Sequence, residues 1–273
     1  MGVKEFAKIF FMEWFQEVHK DQRSFGMKVS QVHYHKRSEY QDILIFENED
    51  FGTVMALDGA YMLSDLDEHM YHKSLTTYGM QNLSPSASEL NILVIGAGDG
   101  GIVRDLIHNW NSRIKKITMV EIDADVIEVS KQFFPQIASE FQNPKLDLLV
   151  QDALAFIKSA PEKSFDLILC DSTDPEGFAA GLIEEDFYRD IKRVMKNDGI
   201  FCAQSGSPIF MREELDKTQA NLAKVFPDQH SYLAPMLVYP GAIWSYTAAG
   251  AKILNRENLD LSEFVSLKQK VTA

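Results

Sequence analysis

Apolar positions along this chain follow two rhythms, and the change between them falls near residue 77. Before it, short runs rich in Val, Ile, Tyr and Phe come close together at 29–34, 41–46 and 53–57. They are separated by Lys36-Arg37-Ser38-Glu39 and by the turn signals Phe51-Gly52 and Asp58-Gly59. β-Branched and aromatic residues at this spacing predict a small antiparallel sheet. From Leu66 the pattern turns helical, with Asp65 or Asp67 near the start and Met70, Leu75 and Tyr78 along one face.

After Ser84-Pro85-Ser86-Ala87-Ser88 the pattern alternates. Strands are expected at 92–95, 117–120, 146–150, 167–170 and 200–203, with helices at 102–109, 124–134, 154–160 and 186–195 between them. Strand–helix alternation implies an α/β fold with a doubly wound parallel sheet covered on both faces. The chain therefore divides into an N-terminal β domain with a lead-in helix, residues 1–77, and a Rossmann-like catalytic domain, residues 78–273. No internal repeat is visible, and the polar last 20 residues carry no signal.

In such sheets ligands bind beyond the carboxyl ends of the strands. The first strand ends in Gly96-Ala97-Gly98-Asp99-Gly100-Gly101, which fits G-x-G-x-x-G, and Glu121 stands where a ribose-binding acid belongs. Asp152 follows the third strand, where it can accept from an adenine amine, and Asp171 and Asp174 follow the fourth. Asp99 separates the possible ligands. A dinucleotide sets its pyrophosphate over this turn, where a carboxylate repels it, whereas a cofactor with a positive centre is favoured. The pair Asp171 and Asp174 suits convergence on one cationic group, although aspartates also simply make turns.

Bulk properties narrow the choice. The formal net charge of −13 over 273 residues argues against nucleic acid or an anionic membrane as partner. Cys170 and Cys202 each close an apolar run and read as buried free thiols in a reducing compartment; with no run long enough to span a bilayer, a cytoplasmic location is expected. His69 and His72 with Glu68 do not make the H-E-x-x-H pattern, so no metal is expected. Tyr71, in the same segment, suits a core position as well as a site.

Taken together, Tyr40-Gln41-Asp42-Ile43, Leu57-Asp58-Gly59, Asp67-Glu68-x-x-Tyr71-His72, the Gly96–Gly101 loop, Val120-Glu121-Ile122-Asp123, Gln151-Asp152-Ala153, Asp171-Ser172-Thr173-Asp174-Pro175 and Tyr239-Pro240-Gly241 resemble the spermidine synthase family of aminopropyltransferases. The likeness runs from about Trp14 to Tyr246. It implies a methyltransferase-like Rossmann domain behind a β domain, and aminopropyl transfer from decarboxylated S-adenosylmethionine, a co-substrate rather than a prosthetic group, to a diamine, putrescine by default. By position, Gln41, Glu121, Asp152 and Ala153 would hold the nucleoside, and Asp99 the aminopropyl amine. His72 and Asp174 would hold the acceptor, and Asp171 would be the acid–base residue aided by Tyr71 and Tyr239. The family habit implies a homodimer or homotetramer.

The chain departs from the family at Met62, usually glutamine, at Lys73, usually acidic, and at Phe178, usually proline. Agmatine, cadaverine or a longer polyamine stay open as acceptors. An S-adenosylmethionine methyltransferase on the same fold, and a polyamine-binding homologue without turnover, are the rival readings.

Overall fold

The early apolar runs pair into a meander. A computed structural model of the chain describes residues 13–172 and 177–255. In it β3 (Gln31–Arg37), β4 (Asp42–Asn48), β5 (Gly52–Leu57) and β6 (Ala60–Ser64) form one antiparallel four-stranded sheet in that order. Two further strands, β1 (Trp14–His19) and β2 (Arg23–Lys28), make a separate hairpin. A lead-in helix is expected within residues 1–77; ahead of β3 the described residues form this hairpin instead, and residues 1–12 lie outside them.

The sheet uses both faces. Ile43, Ile45, Met55, Leu57 and Leu63 pack against Val126, Val129 and Phe134, whereas Leu44, Phe46, Val54 and Ala56 join Phe15 and Met27 of the hairpin in the main core. The period-two alternation of one strand thus ties the hairpin to one side and the larger domain to the other.

That domain is built on a seven-stranded sheet. β7 (Leu90–Gly96), β8 (Ile114–Glu121), β9 (Leu146–Val150), β10 (Phe165–Asp171) and β11 (Met195–Gln204) run parallel; β12 (Asp228–Pro235) and β13 (Ile243–Gly250) close one edge antiparallel, in the order β12-β13-β11-β10-β7-β8-β9. This is the expected doubly wound, Rossmann-like arrangement. Ile92, Val94, Leu167 and Leu169 point into one core layer, and Leu93, Ile95, Ile168 and Cys170 into the other. Helices α1 (Glu68–Asn82) and α2 (Gly101–Trp110) fill the first layer; α5 (Glu185–Val194) and α6 (Arg212–Val225) fill the second. Helix α3 (Ala124–Phe133) carries the N-terminal sheet, and α4 (Ala153–Ser159) follows β9. Among the described residues no helix is long and apolar enough to cross a membrane. Both cysteines are buried and free.

Helix α1 explains its weak sequence signal. It is buried on nearly every side, with Glu68, His72, Ser74, Thr76 and Asn82 among its buried residues. Local bonds satisfy several of them: Ser74 Oγ donates to the Met70 carbonyl at 2.5 Å, Thr76 Oγ1 to the His72 carbonyl at 2.9 Å and Asn82 Nδ2 to the Tyr78 carbonyl at 2.9 Å. Asp67 precedes the helix but does not cap it. Its carboxylate accepts from Ser64 Oγ at 2.6 Å and from the Val238 amide at 3.0 Å, which pins the helix start to the segment before β13.

Candidate active site

Four parallel strands end around one cavity, at the point where the chain order in the sheet reverses between β7 and β10. The loop after β7, Glu121 at the end of β8, Asp152 after β9 and Asp171 at the end of β10 all line it. The N-terminal sheet closes the opposite wall with Gln41 and Met62, helix α1 adds Tyr71 and His72, and Tyr239 and Trp244 complete it.

At one end backbone amides and cap geometry hold the acids. Glu121 is buried and accepts from the Asp123 amide at 2.8 Å; burial pushes its carboxyl up to about 7, with the nearby backbone donors pulling against that. Asp123 shares one oxygen between Gln41 Nε2, at 2.9 Å, and Ser38 Oγ, at 2.6 Å, while its other oxygen caps α3 through the Asp125 amide at 3.0 Å. Gln41 therefore reaches the cavity in a fixed orientation. Asp152 caps α4 by accepting from the Leu154 amide at 2.8 Å, and Ile122, Ala153 and Leu154 beside it offer apolar surface to a flat ring.

At the other end charged and phenolic side chains hold the acids. Gly96 has φ +77°, and a Cβ there would stand 1.9 Å from the Asp171 carbonyl oxygen, so β7 and β10 come this close only with glycine. Tyr71 Oη donates to Asp171 Oδ1 at 2.5 Å. Burial, then the charge of Asp99, lifts the Asp171 carboxyl to about 7; His72 and the Tyr71 hydrogen bond oppose the rise. Asp99 accepts from the Gly101 amide at 2.5 Å and lies 3.2 Å from His72 Nε2. Tyr239 Oη donates to the Met62 carbonyl at 2.9 Å, and its ring meets Tyr71 edge-on at 5.9 Å. Burial pushes both phenols well above their ordinary range, which keeps them protonated donors.

The structure thus brings Gln41, Tyr71, His72, Asp99, Glu121, Asp152, Ala153, Asp171 and Tyr239 to one cavity, as the sequence reading expects. Asp174 lies outside the described residues, as does the side chain of Phe178. Tyr71 belongs to the core and to the site at once. Sequence reasoning passes over Gln204 and Trp244. Gln204 Nε2 donates to the Ser172 carbonyl at 2.9 Å and its Oε1 accepts from Trp244 Nε1 at 3.1 Å, which braces the strand end after Asp171. Glu68 enters the sequence reading beside the histidines and in the Asp67-Glu68-x-x-Tyr71-His72 motif, without a role of its own, and Arg104 not at all. Neither shows a spacing that marks it, because their pairing is made across two helices.

His72, Asp99 and Asp171 set three potential metal-ligand atoms within 4.8 Å of one another. His72, however, turns both ring nitrogens to carboxylates: Nδ1 lies 2.7 Å from Glu68 and Nε2 3.2 Å from Asp99. A ring donating from both nitrogens has no lone pair for a metal. The two carboxylates of the cluster, Asp99 and Asp171, are better suited to an ammonium group.

A family model described as "Spermine/spermidine synthase domain" matches residues 68–259, and one described as "Spermidine synthase tetramerisation domain" matches residues 13–65. The polyamine aminopropyltransferase of Thermoplasma acidophilum is 38% identical over 249 residues, covering 91% of this chain and 89% of that protein. That of Bacillus subtilis is 34% identical over 259 residues, covering 94% and 91%. Among solved structures, a spermidine synthase in complex with the transition state analogue AdoDATO superposes with a TM-score of 0.83 at 29% identity, covering 95% of this chain and 94% of that one. The spermidine synthase of Thermotoga maritima gives 0.82 at 28%, covering 100% and 99%.

Proposed function

This chain belongs to the spermine/spermidine synthase family and is an enzyme of the aminopropyltransferase type; within that class we propose that it transfers the aminopropyl group of decarboxylated S-adenosylmethionine to putrescine, giving spermidine and methylthioadenosine. The observation that carries the reading is the meeting of Asp99 and Asp171 across the glycine loop, where a nucleotide enzyme of this fold would place phosphate. Two carboxylates there favour a sulfonium donor with a free ammonium. They disfavour ordinary S-adenosylmethionine, whose carboxylate meets acidic walls. The neighbour solved with AdoDATO supports the same donor.

In this reading Gln41, Glu121, Asp152 and Ala153 hold the nucleoside, with Glu121 accepting from ribose hydroxyls. Asp99 takes the donor's ammonium. The acceptor lies between Tyr71, Tyr239 and Asp171. Its amine nitrogen forms a bond to the carbon beside sulfur as the carbon–sulfur bond breaks, so the sulfonium leaves as a neutral thioether. The nitrogen also gives up one proton. If its pKa is lysine-like, removing a proton beforehand costs about 4–5 kcal/mol at pH 7. Asp171, held near neutrality by burial and the charge of Asp99, is matched to accept that proton. Tyr71 and Tyr239 stay protonated and orient it, and alignment of the two substrates supplies much of the remaining acceleration. We assign the enzyme to the cytoplasm on its free buried thiols, and to a homodimer or homotetramer on the match to a tetramerisation domain.

The test is a panel of putrescine, cadaverine, agmatine and spermidine offered with decarboxylated S-adenosylmethionine, with methylthioadenosine release as the readout. Release with putrescine at the highest kcat/KM is expected. A higher value with another amine reassigns the acceptor, and no release with any amine overturns the reading.

A further inference from the structure

A chain of alternating charges runs from helix α2 into the cavity. Arg104 donates to Glu68 through both terminal nitrogens, Nη1 to Oε1 at 3.0 Å and Nη2 to Oε2 at 2.7 Å. Glu68 Oε2 accepts from His72 Nδ1 at 2.7 Å, and His72 Nε2 faces Asp99 Oδ1 at 3.2 Å. Neutral imidazole carries one N–H, so with carboxylates at both nitrogens only the doubly protonated ring satisfies both contacts. The ring is 1% exposed and sits on the start of α2, where a Cβ at Gly101 would lie 2.1 Å from it. The last glycine of the G-x-G-x-x-G loop is therefore needed for the histidine as well as for the ligand.

We infer that Arg104 and Glu68 are positioning residues that fix His72 as a cation against Asp99, so that Asp99 presents its other oxygen to the donor's ammonium and the histidine ring takes no part in holding the acceptor. The inference rests on the proposed role of Asp99. It gives His72 a different task from the one family position implies, because a ring whose two nitrogens both donate to carboxylates has no lone pair left to accept from an amine. The charged groups facing the ring are Glu68 on its own helix, Asp99 from the loop and Asp171 from β10, with Arg104 behind Glu68. Burial works against charge on the ring, but Asp99 and Glu68 outweigh it and push His72 up to about 10. The same neighbours act on Glu68: burial raises its carboxyl, and His72 and Arg104 together bring it down to about 2. The geometry and both directions agree on one ion chain. The bidentate guanidinium matters because a lysine offers a point charge and no fork.

Two measurements test it. In the unliganded protein, NMR titration of labelled histidine, with the His72 signal identified by its loss in His72→Gln, should show the ring still charged at pH 8. In Glu68→Gln its midpoint should fall toward the ordinary value of about 6.5. Calorimetry with decarboxylated S-adenosylmethionine should then show weaker binding by roughly ten- to hundredfold in Glu68→Gln and Arg104→Gln, with the acceptor KM unchanged and partial rescue by Arg104→Lys. A wild-type His72 that titrates near 6.5 overturns the inference without need of any variant that folds poorly. So does a Glu68→Gln enzyme that binds donor normally but acceptor badly. Absence of aminopropyl transfer in the wild type would instead overturn the proposed function, while the titration still judges the ion chain.

Discussion

The two ends of the cavity are both acidic, yet they hold their acids by different means. At the proposed nucleoside end, Glu121, Asp123 and Asp152 each accept from a backbone amide two residues on, two of them as helix caps, and only Asp123 also takes side chains from another element, Gln41 and Ser38. At the proposed transfer end, Asp99 also takes a nearby amide, that of Gly101, but Asp99 and Asp171 both meet side chains of a separate element, His72 and Tyr71 of helix α1, with Glu68 and Arg104 behind the histidine. Local backbone fixes shape and leaves a carboxylate's charge to its degree of burial. Burial lifts Asp171 as it lifts Glu121, but at Asp171 the charges of Asp99 and His72 and the Tyr71 hydrogen bond act as well. A nucleoside needs hydrogen bonds in the right places, whereas moving a proton needs a group whose ionisation is set.

The sharpest way to break this comparison is Asp171→Asn. Removing the proposed proton acceptor should lower kcat by roughly a hundred- to ten-thousandfold while methylthioadenosine affinity changes less than about threefold. Stability should move the opposite way. The Asp171 carboxyl titrates near 7 in the folded protein, against about 3.9 unfolded. Keeping it ionised therefore costs stability, progressively from about pH 4 to 7 and fully above. Asparagine removes that cost, so thermal melts at pH 8 should show a gain of roughly 1–3 kcal/mol that vanishes at pH 4. Near-normal turnover would remove Asp171 from the chemistry.

Tyr71→Phe asks whether the remote hydrogen bond sets the charge. The phenol favours the ionised form of Asp171, so its loss should raise that carboxyl further. An acid limb of the kcat profile is expected where Asp171 ionises, near pH 7, and in the variant it should move to higher pH, with turnover down about ten- to thirtyfold at pH 7. A uniform loss with an unmoved limb would give Tyr71 a steric role only.

Glu121→Gln tests the nucleoside end. Loss of a charged acceptor should weaken donor binding by roughly tenfold and leave kcat alone. In the proposed role the ionised carboxylate is the stronger acceptor for ribose hydroxyls, so with burial lifting this carboxyl to about 7 donor affinity should fall as pH drops below that value. In Glu121→Gln this dependence should disappear.

The same contrast decides what could be read from the sequence. Local signals survive in the one-dimensional pattern. The parallel strands, the glycine loop and the strand-end acids were legible because each is made by neighbours. The hairpin of β1 and β2 and the edge strands β12 and β13 escaped notice. Strand β13 reads Ile-Trp-Ser-Tyr-Thr-Ala-Ala-Gly and is buried along nearly its whole length, so it shows no alternation, and β12 is polar and half-buried. Helix α1 is enclosed by other elements and carries little apolar bias. Arg104 was invisible for a related reason: its partner lies 36 residues away on another helix.

Met62→Gln bears on the seam between the two ends and should have the smallest effect. The side chain lines the cavity and packs beside the cluster of Ile43, Met55 and Val126, while its backbone carbonyl receives the Tyr239 hydroxyl. Tyr239 is thus anchored by main chain, which glutamine retains, so kcat should hold. The new amide adds a polar contact for a substrate but puts polar atoms against apolar neighbours. These effects oppose each other, and steady-state kinetics should show a KM change of no more than about threefold for either substrate. A fall in kcat comparable to that of Tyr71→Phe would mean that the methionine side chain itself positions Tyr239. The division between backbone-held and side-chain-held ends would then have to be redrawn at residue 62.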